Sequence, residues 1–249
     1  MRSSSRTGRT RRPRLSRVRN GVQLALVFAS FLGIWLGSPD LLQAEGEAGA
    51  KVDAEVDSPG ARALRAVAEP FQALETFRAE FVQSQEWIGS DEPTFYRGNL
   101  YIQRPGQFRI EYSEPKGHLQ VSDGTHVWTY VPENEQVLVA QLPPGLENND
   151  LLGRILEESR AEQEIESVSL DGEEVEVITL HPPIDLELRT VRLWTGAASS
   201  EILQYELTES SGNRTTYRLK RTWENPELEE DLFRFEAPKG VPVVEVGTQ

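Results

Sequence analysis

Between Gly98 and Gln136 the chain runs through three short segments in which apolar and polar residues alternate, separated by turn signals. Successive side chains of a strand point to opposite faces, so this pattern describes strands with one dry face and one wet face. Leu100, Ile102 and Arg104 fall on one face of the first segment, and Phe108, Ile110 and Tyr112 alternate onto the facing one. Trp128 and Tyr130 carry the apolar series into the third segment. Asp123-Gly124 before them reads as the two-residue turn of a hairpin between Val121 and Val127. An arginine at the end of an apolar file is costly to bury without a partner. The pattern therefore predicts a greasy concave surface with Arg104 as its one polar latch.

The period of two returns on both sides of this stretch. Phe77, Ala79, Phe81 and Gln83 mark a strand before it, and 136–141, 167–170, 174–181, 186–195, 201–209 and 215–223 mark strands after it. Asp171-Gly172, Pro182-Pro183, Gly196 and Ser211-Gly212-Asn213 supply turns between them. Consecutive strands joined by short turns make an antiparallel meander, since parallel pairing would need long crossovers. The tail from Leu232 reads as a last short strand and an extended terminus.

Two segments carry a helical period instead. Leu64, Val67, Phe71 and Leu74 step by three and four residues from Ala61 onward, with Pro70 predicting a kink or two short helices. Leu151, Leu152, Ile155 and Leu156 form a short amphipathic helix with Asn149-Asp150 as its N-cap. A helix inserted into a β meander must bury its apolar face, and the mouth of the sheet is where it fits.

Charge divides the chain further. Eight arginines lie within the first 19 residues, followed by a mostly apolar run of 15 residues from Val22 to Leu36. A basic head and an apolar run shorter than the roughly 20 residues of a membrane span read as a secretory signal, residues 1–44, cleaved near Ala44. Residues 45–60 are small, acidic and aperiodic, and read as a disordered linker ahead of a domain over residues 61–249. Residues 1–44 hold eight of the 26 basic and one of the 40 acidic residues, so the remainder carries 18 against 39, a net −21. Nucleic acid and anionic membrane surfaces would repel such a domain. With no cysteine, the exported chain has no disulfide, no thiol chemistry and no lipidation site.

Catalytic chemistry has no foothold. His118, His126 and His181 show no metal-ligand spacing, so no metal is expected. Ser122 and Asp123 are neighbours on a turn rather than members of a triad. No Gly-rich phosphate loop is present, and Glu157-Glu158 and Glu229-Glu230 read as solvated faces. The sequence predicts neither an enzyme nor a cofactor.

An ordered set of residues resembles the periplasmic outer-membrane lipoprotein carrier family, LolA. It comprises Phe77-x-Ala79-x-Phe81-x-Gln83, Gly98-x-Leu100, Arg104-Pro105, Phe108, Pro115, Ser122-Asp123-Gly124, Trp128-x-Tyr130 and Gln136. Tyr217-x-Leu219, Asn225, Leu232-Phe233-x-Phe235 and Pro238-x-Gly240-Val241 extend it, so the resemblance covers about residues 62–243. It implies a mainly β fold: an incomplete, unclosed antiparallel β-barrel with short helices forming a lid over a hydrophobic cavity. Leu100, Ile102, Phe108, Ile110, Tyr112, Trp128 and Tyr130 would line that cavity, with Leu151, Leu152, Ile155 and Leu156 on the lid and Arg104 latching it. Ile110 stands where relatives often carry tryptophan. The resemblance further implies a monomeric periplasmic chaperone. It would take the acyl chains of lipoproteins from an inner-membrane ABC lipoprotein-releasing complex and pass them to an outer-membrane acceptor. A carrier or sensor of another lipid or glycolipid on the same fold remains open, as does a lipid-ester hydrolase from a different class.

Overall fold

The computed structural model describes residues 58–142, 150–197 and 199–246. The expected signal segment and nearly all of the expected linker lie outside the described residues. The linker's last three positions do not. Ser58 caps helix α1 (Pro59–Gln72), its hydroxyl accepting a hydrogen bond from the Ala61 amide at 3.1 Å, and Pro59 starts the first turn where its missing N–H costs nothing. The helix continues through Pro70 as one element rather than breaking in two. Proline there has no N–H to give the Ala66 carbonyl, and the helix ends two residues later. Helix α2 (Leu151–Glu158) follows the expected pattern: the Asp150 carboxylate accepts from the Gly153 amide at 2.9 Å, and Leu151, Leu152, Ile155 and Leu156 are all buried.

One sheet holds every described strand. In chain order these are β1 (Thr76–Glu86), β2 (Thr94–Gln103), β3 (Gln107–Glu114), β4 (Leu119–Asp123), β5 (His126–Val131), β6 (Gln136–Gln141), β7 (Arg160–Ala161), β8 (Glu166–Leu170), β9 (Glu173–His181), β10 (Leu188–Gly196), β11 (Ile202–Glu209), β12 (Arg214–Glu224) and β13 (Val243–Glu245). Two meanders, β1 to β6 and β9 to β12, join where β1 pairs with β12, and the sheet ends at β13 and β7 without closing. Pairing is antiparallel except for β13, which lies parallel to β6. The mainly β, unclosed barrel is thus observed. Its concave side is a single core shared by both meanders, α1 and α2.

Local differences from expectation have local causes. Residues 184–186 form a 3₁₀ turn after Pro182-Pro183, so β10 begins at Leu188. Leu232-Phe233 lies in a turn, and the last strand comes later, at Val243. The β4–β5 hairpin turns at Gly124-Thr125, one residue beyond the expected position. The Asp123 carboxylate holds it there, accepting from the Thr125 and His126 amides at 2.8 Å each.

Candidate functional site

The concave wall is built from cross-strand neighbours. Ile102 pairs with Phe108, Leu100 with Ile110 and Gly98 with Tyr112, so the two files expected on facing surfaces share one face of β2 and β3. Phe77, Ala79 and Phe81 of β1 extend that face beside Ile102, Leu100 and Gly98. Gly98 is required by close approach: a Cβ there would sit 2.3 Å from the Glu111 carbonyl oxygen and 3.0 Å from the Phe81 ring. Leu100, Ile102, Ile110 and Tyr112 are buried in one cluster with Phe71 of α1 and with Leu151, Leu152, Ile155 and Leu156 of α2. Phe108 packs against its edge, half-buried.

Arg104 follows β2 at the mouth of this wall and reaches both helices. One terminal nitrogen donates to the Phe71 and Leu74 carbonyls at 2.8 and 2.6 Å, and the other donates to Asp150 Oδ2 at 2.8 Å. The guanidinium also lies 4.9 Å from the centre of the Phe71 ring. Carbonyls at a helix C-terminus lack intrahelical donors, which is why a cation settles there. Asp150 divides its carboxylate, one oxygen capping α2 and the other facing Arg104. With Arg104 13% and Asp150 8% exposed at the side chain, the pair is a buried one, and each charge depends on the other. A single side chain therefore ties the end of α1 to the start of α2.

Ser122 supports this corner, donating its hydroxyl to the Gly106 carbonyl at 2.8 Å in the turn after Arg104. The Ser122-Asp123-Gly124 motif so fastens one hairpin tip to the next.

Trp128 and Tyr130 are not on the wall. Along β5 the buried residues are Val127, Thr129 and Val131, and Trp128 turns to the convex side. There it stands opposite Val121 and stacks on Phe235 with ring centres 5.9 Å apart. Tyr130 stands opposite Leu119 and Val137 on the same convex file. Both files of β5 are apolar enough to be buried, so the sequence pattern alone assigned the aromatic file to the wrong side. A hairpin with Val121 opposite Val127 would have turned Trp128 inward, and the observed register differs from it by one residue.

Reasoning from the sequence also missed half of the interior. Ile178 and Leu180 of β9, Leu193 of β10, Tyr205 of β11 and Tyr217 of β12 belong to the same core. Their alternation was legible, but nothing in it says that the second meander faces the first. Beyond the apolar wall lies a band of tyrosines. Tyr205 and Tyr217 stack at 4.8 Å, Tyr112 meets Tyr96 edge-on, and Tyr112 donates its hydroxyl to Gln83 Oε1 at 3.2 Å. Burial pushes Tyr96 up to about 12 and holds Tyr112, Tyr205 and Tyr217 well above their ordinary value, because a phenolate is poorly solvated there. An opening of about 210 Å³ remains at the mouth, where Val67, Phe71, Leu74, Leu152, Ile202 and Leu219 meet.

The sheet is thus an open antiparallel barrel with an apolar concave face, covered by two helices that one buried arginine ties together. The family model of the outer membrane lipoprotein carrier protein LolA matches residues 72–236, and the chain belongs to this family. It is 29% identical over 196 residues to the outer-membrane lipoprotein carrier protein of Chromohalobacter salexigens, covering 78% of this chain and 90% of that one. The protein of the same name from Hahella chejuensis is 29% identical over 177 residues, 69% of this chain and 82% of its own. Among solved structures, an uncharacterized conserved protein from Thermus thermophilus aligns with a TM-score of 0.47 at 15% identity, covering 74% of this chain and 98% of that one. A LolA superfamily protein from Nitrosomonas europaea aligns at 0.40 and 12% identity, covering 70% and 96%.

Proposed function

We propose that this chain is a non-catalytic periplasmic carrier. It accepts the acyl chains of lipoproteins leaving an inner-membrane ABC releasing complex and surrenders them to an outer-membrane acceptor. The observation that carries the reading is the grip of Arg104 on both helices above an apolar wall. The names of the family and of the curated relatives, all of lipoprotein carriers, support the cargo class. Burying one sixteen-carbon chain gains about 12 kcal/mol at roughly 0.8 kcal/mol per methylene, enough to make release the difficult step. A closed, empty state held by charge-assisted hydrogen bonds worth about 1.5–3 kcal/mol each competes with the loaded, open one. The latch therefore works for delivery rather than for capture.

Arg104→Leu removes the donors and adds apolar surface at the mouth, and both changes favour the loaded state. The expected outcome is normal loading from inner-membrane vesicles and poor release to the acceptor, measured as separate steps. Arg104→Lys keeps the charge but loses the planar fork, and its release defect is milder. Equal release by wild type and Arg104→Leu would return this arginine to a purely structural role.

A further inference from the structure

Helix α2 is held from two sides. Arg104 grips its N-terminus from the β2–β3 hairpin, in the first meander. On its outer side Arg154 donates to Asp185 Oδ2 at 2.6 Å, and Asp185 sits in the 3₁₀ turn between β9 and β10, in the second meander. That turn is a firm anchor. Leu186 is 1% exposed in the core, and the Glu187 carbonyl accepts from the Ser210 amide at 2.9 Å, tying the turn to the β11–β12 hairpin. Arg154 itself is only 11% exposed at the side chain, held flat against the helix by Glu158 at 3.1 Å. The Glu158 bond joins two residues of one helix and cannot hold that helix to anything, whereas the Asp185 bond crosses to the sheet.

We propose that the Arg154–Asp185 pair is a second, outer latch on the lid, released before the inner Arg104–Asp150 latch. The order follows from access. Asp185 is 58% exposed at the side chain and its neighbour Ile184 is 95% exposed, so ions or a cationic group of a docking partner reach this carboxylate directly. Asp150 is 8% exposed and out of such reach. Salt screens an exposed pair and leaves a buried one largely intact. The hydrogen bonds that Arg154 donates to Glu158 and to Asp185 both raise its pKa, so the guanidinium stays charged throughout. The lid's role in cargo binding rests on the carrier reading above; the latch itself does not.

Hydrogen exchange of the α2 backbone amides in the mature protein separates the two. Asp185→Ala, outside the helix, should speed exchange across α2 by about two- to five-fold, the range expected for breaking one half-exposed pair. Glu158→Gln should leave it unchanged, and in that background, which removes the Glu158 carboxylate from beside residue 154, the charge-reversed pair Arg154→Asp with Asp185→Arg should restore slow exchange. Raising the salt should speed exchange in wild type and not in Asp185→Ala. No acceleration in Asp185→Ala, or the same acceleration in Glu158→Gln, overturns the outer latch. Uptake of a fluorescent sixteen-carbon fatty acid is followed in parallel. Faster α2 exchange with unchanged uptake keeps the latch and overturns the lid's part in the carrier reading.

Discussion

Strands β2 to β5 have two faces that could each pass for a core, and the chain covers them by different means. The concave face receives α1 and α2, with the Arg104–Asp150 pair sealed between them. The convex face carries Arg109, Val121 and Trp128 and is crossed by the C-terminal segment. The Leu232 carbonyl accepts from Arg109 at 3.1 Å, Phe235 stacks on Trp128, and β13 adds itself to β6. One cover is helical, held by its buried apolar side chains, a few side-chain hydrogen bonds and one backbone bond from Gly60 to the Gln163 carbonyl. The other is extended and woven into the sheet by backbone pairing. Neither helix is part of a strand ladder, so lifting one breaks no ladder, whereas removing a strand in register does. The concave face is therefore the one to which the proposed function assigns the acyl chain.

The hardest test of this contrast compares charge pairs. Asp150→Ala leaves the buried Arg104 charge without its carboxylate and removes the α2 cap, and should cost about 3–5 kcal/mol of stability in urea unfolding. Glu114→Gln, which breaks a pair with Arg97 at 64% and 60% exposure, should cost less than about 1 kcal/mol. Comparable losses would mean that the Arg104 corner is not buried in solution.

Truncating the wall comes next. Ile110→Ala, at 2% exposure, should lower stability by about 2–5 kcal/mol through lost burial and a residual cavity. Apolar-probe titration of the same variant should show altered binding if the concave wall forms the ligand site.

Alkali should act on the interior tyrosines. Their folded pKa values lie above the ordinary 10, so the folded state keeps protons that the unfolded chain gives up. Stability is then whole below pH 10 and falls as the pH climbs above it, by about 1.4 kcal/mol per pH unit for each tyrosine involved. Thermal melts between pH 9 and about 12 check the sign, and a flat profile would place these hydroxyls in water.

The smallest effect belongs to the convex face. Trp128→Ala should forfeit its stack on Phe235, about 0.5–1.5 kcal/mol beyond lost burial, and leave apolar-probe binding unchanged. A large loss of binding would put the ligand site on the side that the C-terminal segment covers.

The sequence by itself determined most of the strands, the two helices and the arginine that needed a partner. Alternation in 77–83, 98–112 and 202–223 is dictated by backbone pleat, and the α2 period and its Asp150 cap are equally local. Arg104 was legible because a cation closing an apolar file demands a partner, although nothing nearby in the chain revealed that Asp150 and the carbonyls of α1 would supply it. Which face of β5 looks inward was not legible. Val127 and Trp128 are both apolar, and the choice rests on a turn placed one residue along and on Phe235, over a hundred residues away, arriving to cover the other side. The union of the two meanders through β1 and β12, and the hold of Asp185 on α2, were equally out of reach. Period and propensity act over a few residues and fix elements. Register, facing and charge partners depend on segments far apart in the chain, and only their packing together decides them.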